Sequence, residues 1–174
     1  LLKNGTTTAA IFPSKHVDAT AILFKEALRL NMRIVAGKTS MDRNAPEGLC
    51  DTTSMSFQEN EALLEEFNQK GRLNYALTPR FAITSTDEQL SALSKIKKNR
   101  PNIAVQTHLS ENIDEIETTK KLFPSSKNYL DIYDSKGFLG KGSLMAHAIY
   151  LKEQEWERLA ETQTSIVHCP TSNL

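Results

Sequence analysis

The chain has 174 residues, 39% of them hydrophobic and 24% charged, which is enough apolar content to bury the core of one domain. Its 21 lysines and arginines balance its 21 aspartates and glutamates, which argues against binding to nucleic acid. No apolar run approaches the roughly 20 residues of a membrane-spanning helix. We therefore expect a globular protein that acts on a small polar molecule and binds neither nucleic acid nor a membrane.

Short β-rich runs alternate with helical stretches along the whole chain, as in consecutive βα units around a parallel sheet. Five helices and a longer loop, at residues 124–142, separate the runs, and that loop has room for one short helix. Six such strands predict an α/β fold, namely part of a (β/α)8 barrel with about six βα units. The strands are predicted within GTTTAAIF, RIVAGK, LNYALTPRF (a strand and its turn), NIAVQTH, SLMAHAIY and TSIVHCPTSNL (the last strand and its loop).

Capping residues, a proline and the spacing of apolar residues predict where the helices begin, where they end and which face packs on the core. Asp18 is a candidate N-cap for the first helix. Thr86 opens a later helix, which Pro101 ends. The apolar face of the first helix is predicted to consist of Ile22, Leu23, Ala27, Leu28 and Leu30.

The ends of the chain and its cysteines bear on its extent and its compartment. The first residue is not methionine and the last residues, PTSNL, have no polar tail, so we expect residues 1–174 to be the central portion of a barrel domain, truncated at both ends. Cys50 and Cys169 are far apart and form no CxxC pattern, which predicts neither a disulfide framework nor a cysteine-bound metal. We therefore expect a reducing, cytoplasmic location. Because a proline follows Cys169, a structural role is favoured over a nucleophilic one.

The segment QTHLSEN, residues 106–112, places a histidine and a glutamate just after an apolar strand. The strand would hold His108 as a metal ligand, and Glu111, three residues on, could move the protons of a metal-activated water. The residues alone also allow a simpler interpretation. In it, His108 is a hydrogen-bonded residue at a strand end and Glu111 begins a helix.

Other polar and aromatic residues follow successive predicted strands in the same way. Arg80 and Phe81 follow the third strand, His147 the fifth and His168 the sixth. The active residues of (β/α)8 barrels lie at the carboxyl ends of strands, so this placement favours a shared site. Taken singly, Arg80 could be a surface charge, Phe81 a core residue and His147 a satisfied core histidine.

Six segments of the chain matter together: KNGTTTA, TPRF, QTHLSEN, LFPSSKNYLDIYD, MAHAIYL and HCPTSNL. With them the chain resembles, nearly from end to end, the guanine deaminases of the amidohydrolase superfamily of metal-dependent TIM-type barrels. The resemblance implies hydrolytic deamination of guanine to xanthine and ammonia by a zinc-activated water, in purine catabolism.

The resemblance also implies roles for individual residues. His108 would bind one Zn²⁺ ion, and Glu111 would shuttle protons beside it. His147 would act in catalysis next to the attacking water. Arg80 and Phe81, together with His108 and Glu111, would bind the purine through hydrogen bonds and ring contacts.

The chain departs from the family at the metal site. The family's remaining zinc ligands, an HxH pair and an aspartate after the eighth strand, have no counterpart in residues 1–174. We expect them to lie outside this chain, which by itself would bind metal weakly and have little activity. The resemblance further implies that the full-length parent protein is a homodimer.

Several alternatives stay open. The parent enzyme could be another amidohydrolase aminohydrolase, acting on adenosine derivatives, cytosine or triazines, or the chain could be a noncatalytic barrel fragment. Zinc and iron are not distinguished, because imidazole suits both metals. His168 and Asn173 are expected to shape the floor of the pocket, and no chemistry is assigned to His16.

Overall fold

Six parallel strands form a half-barrel sheet in the computed structural model, which describes residues 1–174. With a short additional strand, the strands are β1 (Thr8–Ile11), β2 (Arg33–Ala36), β3 (Thr39–Ser40), β4 (Leu73–Pro79), β5 (Ala104–Leu109), β6 (Leu144–His147) and β7 (Ser165–Val167). The strand order is β1-β2-β4-β5-β6-β7, with β3 paired in parallel to the end of β4. The predicted α/β fold and its six main strands are confirmed, whereas β3 was not predicted.

Helices connect the main strands in turn. The predicted short helix within residues 124–142 is present at Tyr129–Asp134, and a further short helix follows the last strand. None of the helices combines the length and the apolar character needed to cross a bilayer. The helices are α1 (Val17–Arg29), α2 (Thr53–Phe67), α3 (Asp87–Asn99), α4 (Ile113–Leu122), α5 (Tyr129–Asp134), α6 (Glu153–Glu161) and α7 (Pro170–Asn173).

A cluster of 27 buried hydrophobic residues joins the sheet to the helices. In it, the ring of Phe24 on α1 stacks on Phe67 of α2 with centroids 5.1 Å apart, and lies 6.0 Å from the ring of Tyr75 on β4. Each fully buried side chain of this size stabilises the fold by roughly 1.5–3 kcal/mol. The core therefore holds α1 and α2 against the same side of the sheet.

The inward face of α1 differs from the prediction. Phe24 and Ala27 are buried, whereas Ile22 is 66% exposed and Leu28 and Leu30 lie partly in water. Ile22 precedes Phe24 by two residues, which places it about 200° away around the helix. Once Phe24 packs on α2, Ile22 must therefore point outward.

The helix termini agree only in part with the capping predictions. Thr86 caps α3 as predicted, accepting a hydrogen bond from the backbone N–H of Gln89. Asp18 does not cap α1, because the N-cap is His16. Asp18 lies in the first helical turn instead, where its negative charge complements the helix N-terminus.

A buried lysine ties the end of β2 to the start of α2. Lys38 is 1% exposed, and its ammonium group pairs with Asp51 and, at 3.1 Å, with Glu59. Asp51 also lies 3.3 Å from the Nζ atom of Lys15. A buried charge without a partner would cost several kcal/mol, so the two carboxylates are what allow Lys38 to lie inside the fold.

Candidate active site

Two histidines from neighbouring strands lie face to face at the carboxyl end of the sheet. The rings of His108 on β5 and His147 on β6 have centroids 5.2 Å apart and planes inclined by 24°. In the parallel register, Leu109 is the residue opposite His147, and Leu109 points into the core. Residues opposite each other in a regular sheet point to the same face, so a regular strand would carry His147 toward the core as well.

The backbone of His147 leaves the regular strand conformation and turns its side chain toward His108. Its φ is +71°, in the left-handed region that costs a non-glycine residue on the order of 1–3 kcal/mol. Such strain persists only when the surrounding structure enforces it. The ring of His147 therefore reaches the site through a conformation that sequence periodicity does not reveal.

Hydrogen bonds from the neighbouring loop enforce this conformation. Ser110, two residues after His108, and Ala148, directly after His147, also have positive φ values of +48° and +53°. The N–H of Ala148 donates to the carbonyl of Leu109 at 2.8 Å. The N–H groups of Ile149 and Tyr150 both donate to the carbonyl of Ser110, each at 3.1 Å. The loops after β5 and β6 thus form one hydrogen-bonded unit.

The protonation of the His108 ring follows from its partner. Its Nδ1 atom lies 2.8 Å from the carbonyl oxygen of Arg80, which only accepts, so Nδ1 carries the proton and Nε2 keeps its lone pair. The same carbonyl accepts from the backbone N–H of His108 at 3.1 Å and from Thr107 Oγ1 at 3.2 Å. Burial lowers the pKa of His108, and this effect outweighs the hydrogen bond to Arg80, which raises the pKa. The lowered pKa favours the neutral ring.

Glu111, His147 and Asn173 form a polar triangle beside these rings. The Nδ1 atom of His147 lies 2.9 Å from Asn173 Oδ1 and 3.4 Å from Glu111 Oε1. The side-chain amide of Asn173 donates to Glu111 Oε1 at 3.5 Å. Both neighbours of the His147 Nδ1 atom are acceptors, so this nitrogen also carries a proton.

Arg80 and Phe81, directly after β4, lie at the same mouth of the sheet. The guanidinium of Arg80 is exposed and lies 5.1 Å from the centroid of the Phe81 ring, a cation–π contact. The Phe81 ring is in turn 6.0 Å from the His108 ring. The structure therefore brings together all five residues singled out from the sequence as site residues: Arg80, Phe81, His108, Glu111 and His147.

Phe12, after β1, belongs to this cluster and was missed by the sequence analysis. Its ring is 37% exposed and meets the edge of the His108 ring with centroids 4.8 Å apart. It also follows a strand directly, so the strand-end rule was the signal that could have found it. Of the two residues expected at the pocket floor, Asn173 lies in the site, whereas His168 is exposed and its ring makes no hydrogen bond.

The donor chemistry of the site fits part of a zinc centre. His108 offers a neutral imidazole whose Nδ1 proton is held by a backbone carbonyl, the arrangement that orients histidine ligands in metal sites. Structural and catalytic zinc sites use three or four protein ligands. No group of three His, Cys, Asp or Glu side chains in the structure is arranged to hold a metal ion. These residues therefore match a partial ligand set.

Comparisons with known proteins show which proteins this chain is similar to. Guanine deaminase of Escherichia coli is 48% identical over 174 residues, covering 100% of this chain and 40% of that protein. Its solved structure superimposes with a TM-score of 0.97 at 47% identity, covering 98% of this chain and 40% of that one. Guanine deaminase from C. acetobutylicum, solved with guanine bound in its active site, gives a TM-score of 0.94 at 34% identity, covering 99% and 41% of the two chains.

The extent of these matches defines what they establish. The chain spans about 40% of the length of the curated guanine deaminase from E. coli. The model of the amidohydrolase family, in contrast, matches residues 1–174, which is the whole chain. The predicted resemblance to guanine deaminases is thereby confirmed, and the chain belongs to the amidohydrolase family.

Proposed function

We propose that this chain forms the central portion of the barrel domain of a guanine deaminase, which hydrolyses guanine to xanthine and ammonia in purine catabolism. The observation that carries the proposal is the convergence of His108, His147 and Glu111 at the carboxyl ends of β5 and β6. The similarity to guanine deaminases along the whole chain supports the choice of substrate.

His108 is the residue that would hold a divalent metal ion. Its free Nε2 lone pair and neutral ring suit Zn²⁺, and we infer one zinc ion whose other protein ligands lie outside residues 1–174. Bound zinc supplies Lewis-acid activation of a water molecule. Because this chain offers fewer than three ligands, we infer that it binds metal weakly and has little activity by itself.

Glu111 is the group that would move protons. Its carboxylate is half-buried, and its Oε1 atom lies within 3.5 Å of both His147 and Asn173, which orient it. In the hydrolysis, water adds to the carbon bearing the amino group, the C–N bond breaks and ammonia leaves. Glu111 would accept a proton from the water and pass it to the purine ring. The His147 ring would stabilise the charge that develops on the attacking water.

Arg80, Phe81 and Phe12 would recognise the flat base. The exposed guanidinium of Arg80 carries N–H donors that match the carbonyl oxygen and ring nitrogens of a purine. The two phenylalanine rings flank the His108 ring at 6.0 and 4.8 Å and offer apolar faces for a planar ligand.

A cytoplasmic location and a homodimeric parent are further parts of this proposal, and both rest on the resemblance alone.

The experiment compares full-length parent protein with its Glu111→Gln variant. We expect zinc binding and guanine turnover in the parent, and a fall in kcat of about 10²- to 10⁴-fold in the variant with unchanged zinc content. Glu117→Gln is the matched control, because Glu117 is an exposed glutamate on α4 outside the site. Ammonia release is measured with guanine, adenosine, cytosine and a triazine. Undiminished turnover in Glu111→Gln, or release from another heterocycle but not guanine, would contradict the proposal.

A further inference from the structure

A buried tyrosine on α5 holds the backbone of His108. The hydroxyl of Tyr133 donates to the carbonyl oxygen of His108 at 3.0 Å and accepts from the backbone N–H of Ala82 at 2.9 Å. Thr107 Oγ1 lies 3.2 Å from the same hydroxyl. Tyr133 is 0% exposed, and burial raises the pKa of its hydroxyl, which therefore remains a donor. One hydroxyl thus joins the segment after β4 to the metal-ligand position on β5.

A second chain of hydrogen bonds from the same helix reaches Glu111. The hydroxyl of Tyr129 donates to Glu115 Oε1 at 2.6 Å, and Glu115 Oε2 accepts the backbone N–H of Glu111 at 2.9 Å. Tyr129 and Glu115 are each 4% exposed, so water does not replace these contacts readily. A buried polar group that loses its partner costs about 1–3 kcal/mol.

Tyr133 therefore contacts the His108 end of the loop directly, and Tyr129 reaches its Glu111 end through Glu115. Between these ends, Ser110 has the left-handed φ of +48°, so the loop needs external support to keep its shape. The mechanism uses none of the α5 residues, and α5 lies far along the chain from the HLSE segment that it supports.

We propose that Tyr133 and the Tyr129–Glu115 pair are positioning residues, which hold the His108 imidazole and the Glu111 carboxylate in their reactive arrangement. This inference rests on the proposed deaminase function. Tyr133 acts through the carbonyl of His108 and the Tyr129–Glu115 pair acts through the N–H of Glu111, so neither touches the substrate. Loss of Tyr133 loosens the metal ligand, and loss of Glu115 loosens the proton-transfer group.

The test uses the full-length, zinc-loaded protein with Tyr133→Phe. We expect kcat with guanine to fall about 10- to 100-fold, and zinc affinity measured by chelator competition to weaken, because partners of this kind orient the ligands of a metal site. Tyr75→Phe is the matched control. Tyr75 is 1% exposed and its hydroxyl also makes two hydrogen bonds, with Lys38 and Asn60, but neither partner is a site residue. The Tyr75→Phe variant should have a lower unfolding temperature but the same kcat and zinc affinity.

A second set of variants separates positioning from folding. Glu115→Gln keeps an oxygen for the N–H of Glu111 and should retain most of kcat, whereas Glu115→Ala should lower kcat about 10-fold or more without weakening zinc binding. If Tyr133→Phe and Glu115→Ala match Tyr75→Phe in kcat and zinc affinity while Glu111→Gln abolishes turnover, the positioning proposal is wrong and the proposed function stands. If Glu111→Gln itself turns over normally, the proposed function fails.

Discussion

The Nδ1 atom of His108 donates to the backbone carbonyl of Arg80 across 2.8 Å, so the proposed metal ligand and the proposed substrate contact share one hydrogen bond. The bond exists because β4 and β5 are adjacent parallel strands whose carboxyl ends lie side by side. Two sequence motifs that are 28 residues apart thus act as one structural unit. The orientation of the His108 ring depends on the backbone of Arg80, whereas the guanidinium remains available for a ligand.

Replacing His108 with alanine in the full-length protein is expected to remove the zinc ligand that this chain contributes. Zinc affinity should fall by at least about 100-fold, because losing only a hydrogen-bond partner of a metal ligand already costs about 10- to 100-fold. The measurement is bound zinc by elemental analysis together with chelator competition. His168→Ala is the control, since His168 is exposed and makes no hydrogen bond through its ring. Stoichiometric, tightly bound zinc in His108→Ala would show that another residue holds the metal.

Replacing Arg80 with alanine is expected to weaken substrate binding while the His108 contact is kept, because that contact uses only the Arg80 backbone. Hydrogen bonds from a charged donor contribute about 1.5–3 kcal/mol, which corresponds to a rise in KM for guanine of roughly 10- to 150-fold. Steady-state kinetics with guanine measure the effect. Arg33→Ala is the matched control, an exposed arginine at the amino end of β2. An unchanged KM would argue against a substrate contact.

The corrected face of α1 leads to a stability prediction. Phe24→Ala should reduce the free energy of unfolding by about 3–5 kcal/mol, because the side chain is 0% exposed and stacks on Phe67. Ile22→Ala on the same helix should change it by less than about 0.5 kcal/mol, since Ile22 is 66% exposed. Urea denaturation of both variants distinguishes the two faces. Equal losses would mean that Ile22 is covered in the folded protein.

Gly37 is expected to tolerate no side chain. A Cβ atom at this position would lie 1.7 Å from the carbonyl oxygen of Ala76 on the neighbouring strand, so Gly37→Ala must push β2 and β4 apart. The expected loss is about 3 kcal/mol in the free energy of unfolding. Gly48→Ala is the control, because a Cβ atom on Gly48 would meet nothing within 4 Å and the change in stability should stay within about 1 kcal/mol. The urea midpoint of each variant provides the measurement, and a wild-type midpoint for Gly37→Ala would contradict the close approach.

Local patterns in the sequence were sufficient for the architecture. Alternating β-rich and helical runs predicted the six main strands, because strand and helix periodicity are properties of neighbouring residues. The rule that function lies at strand ends also placed Arg80, His108 and His147 at one mouth, since the carboxyl ends of parallel strands meet at one edge. Cap and stop signals worked where a side chain acts on its own backbone, as Thr86 does.

Contacts between distant parts of the chain decided what the sequence did not show. Because Phe24 packs on Phe67, the face of α1 that contains Phe24 points inward, and the predicted face that contains Ile22 does not. The left-handed backbone of His147 turned its ring toward His108, and the loop after β5 holds it there. The hydroxyl of Tyr133 reaches the carbonyl of His108 across 25 residues of chain. Such contacts form only when the whole sheet and its helices assemble, because their free energy depends on burial and on partners that no local pattern contains.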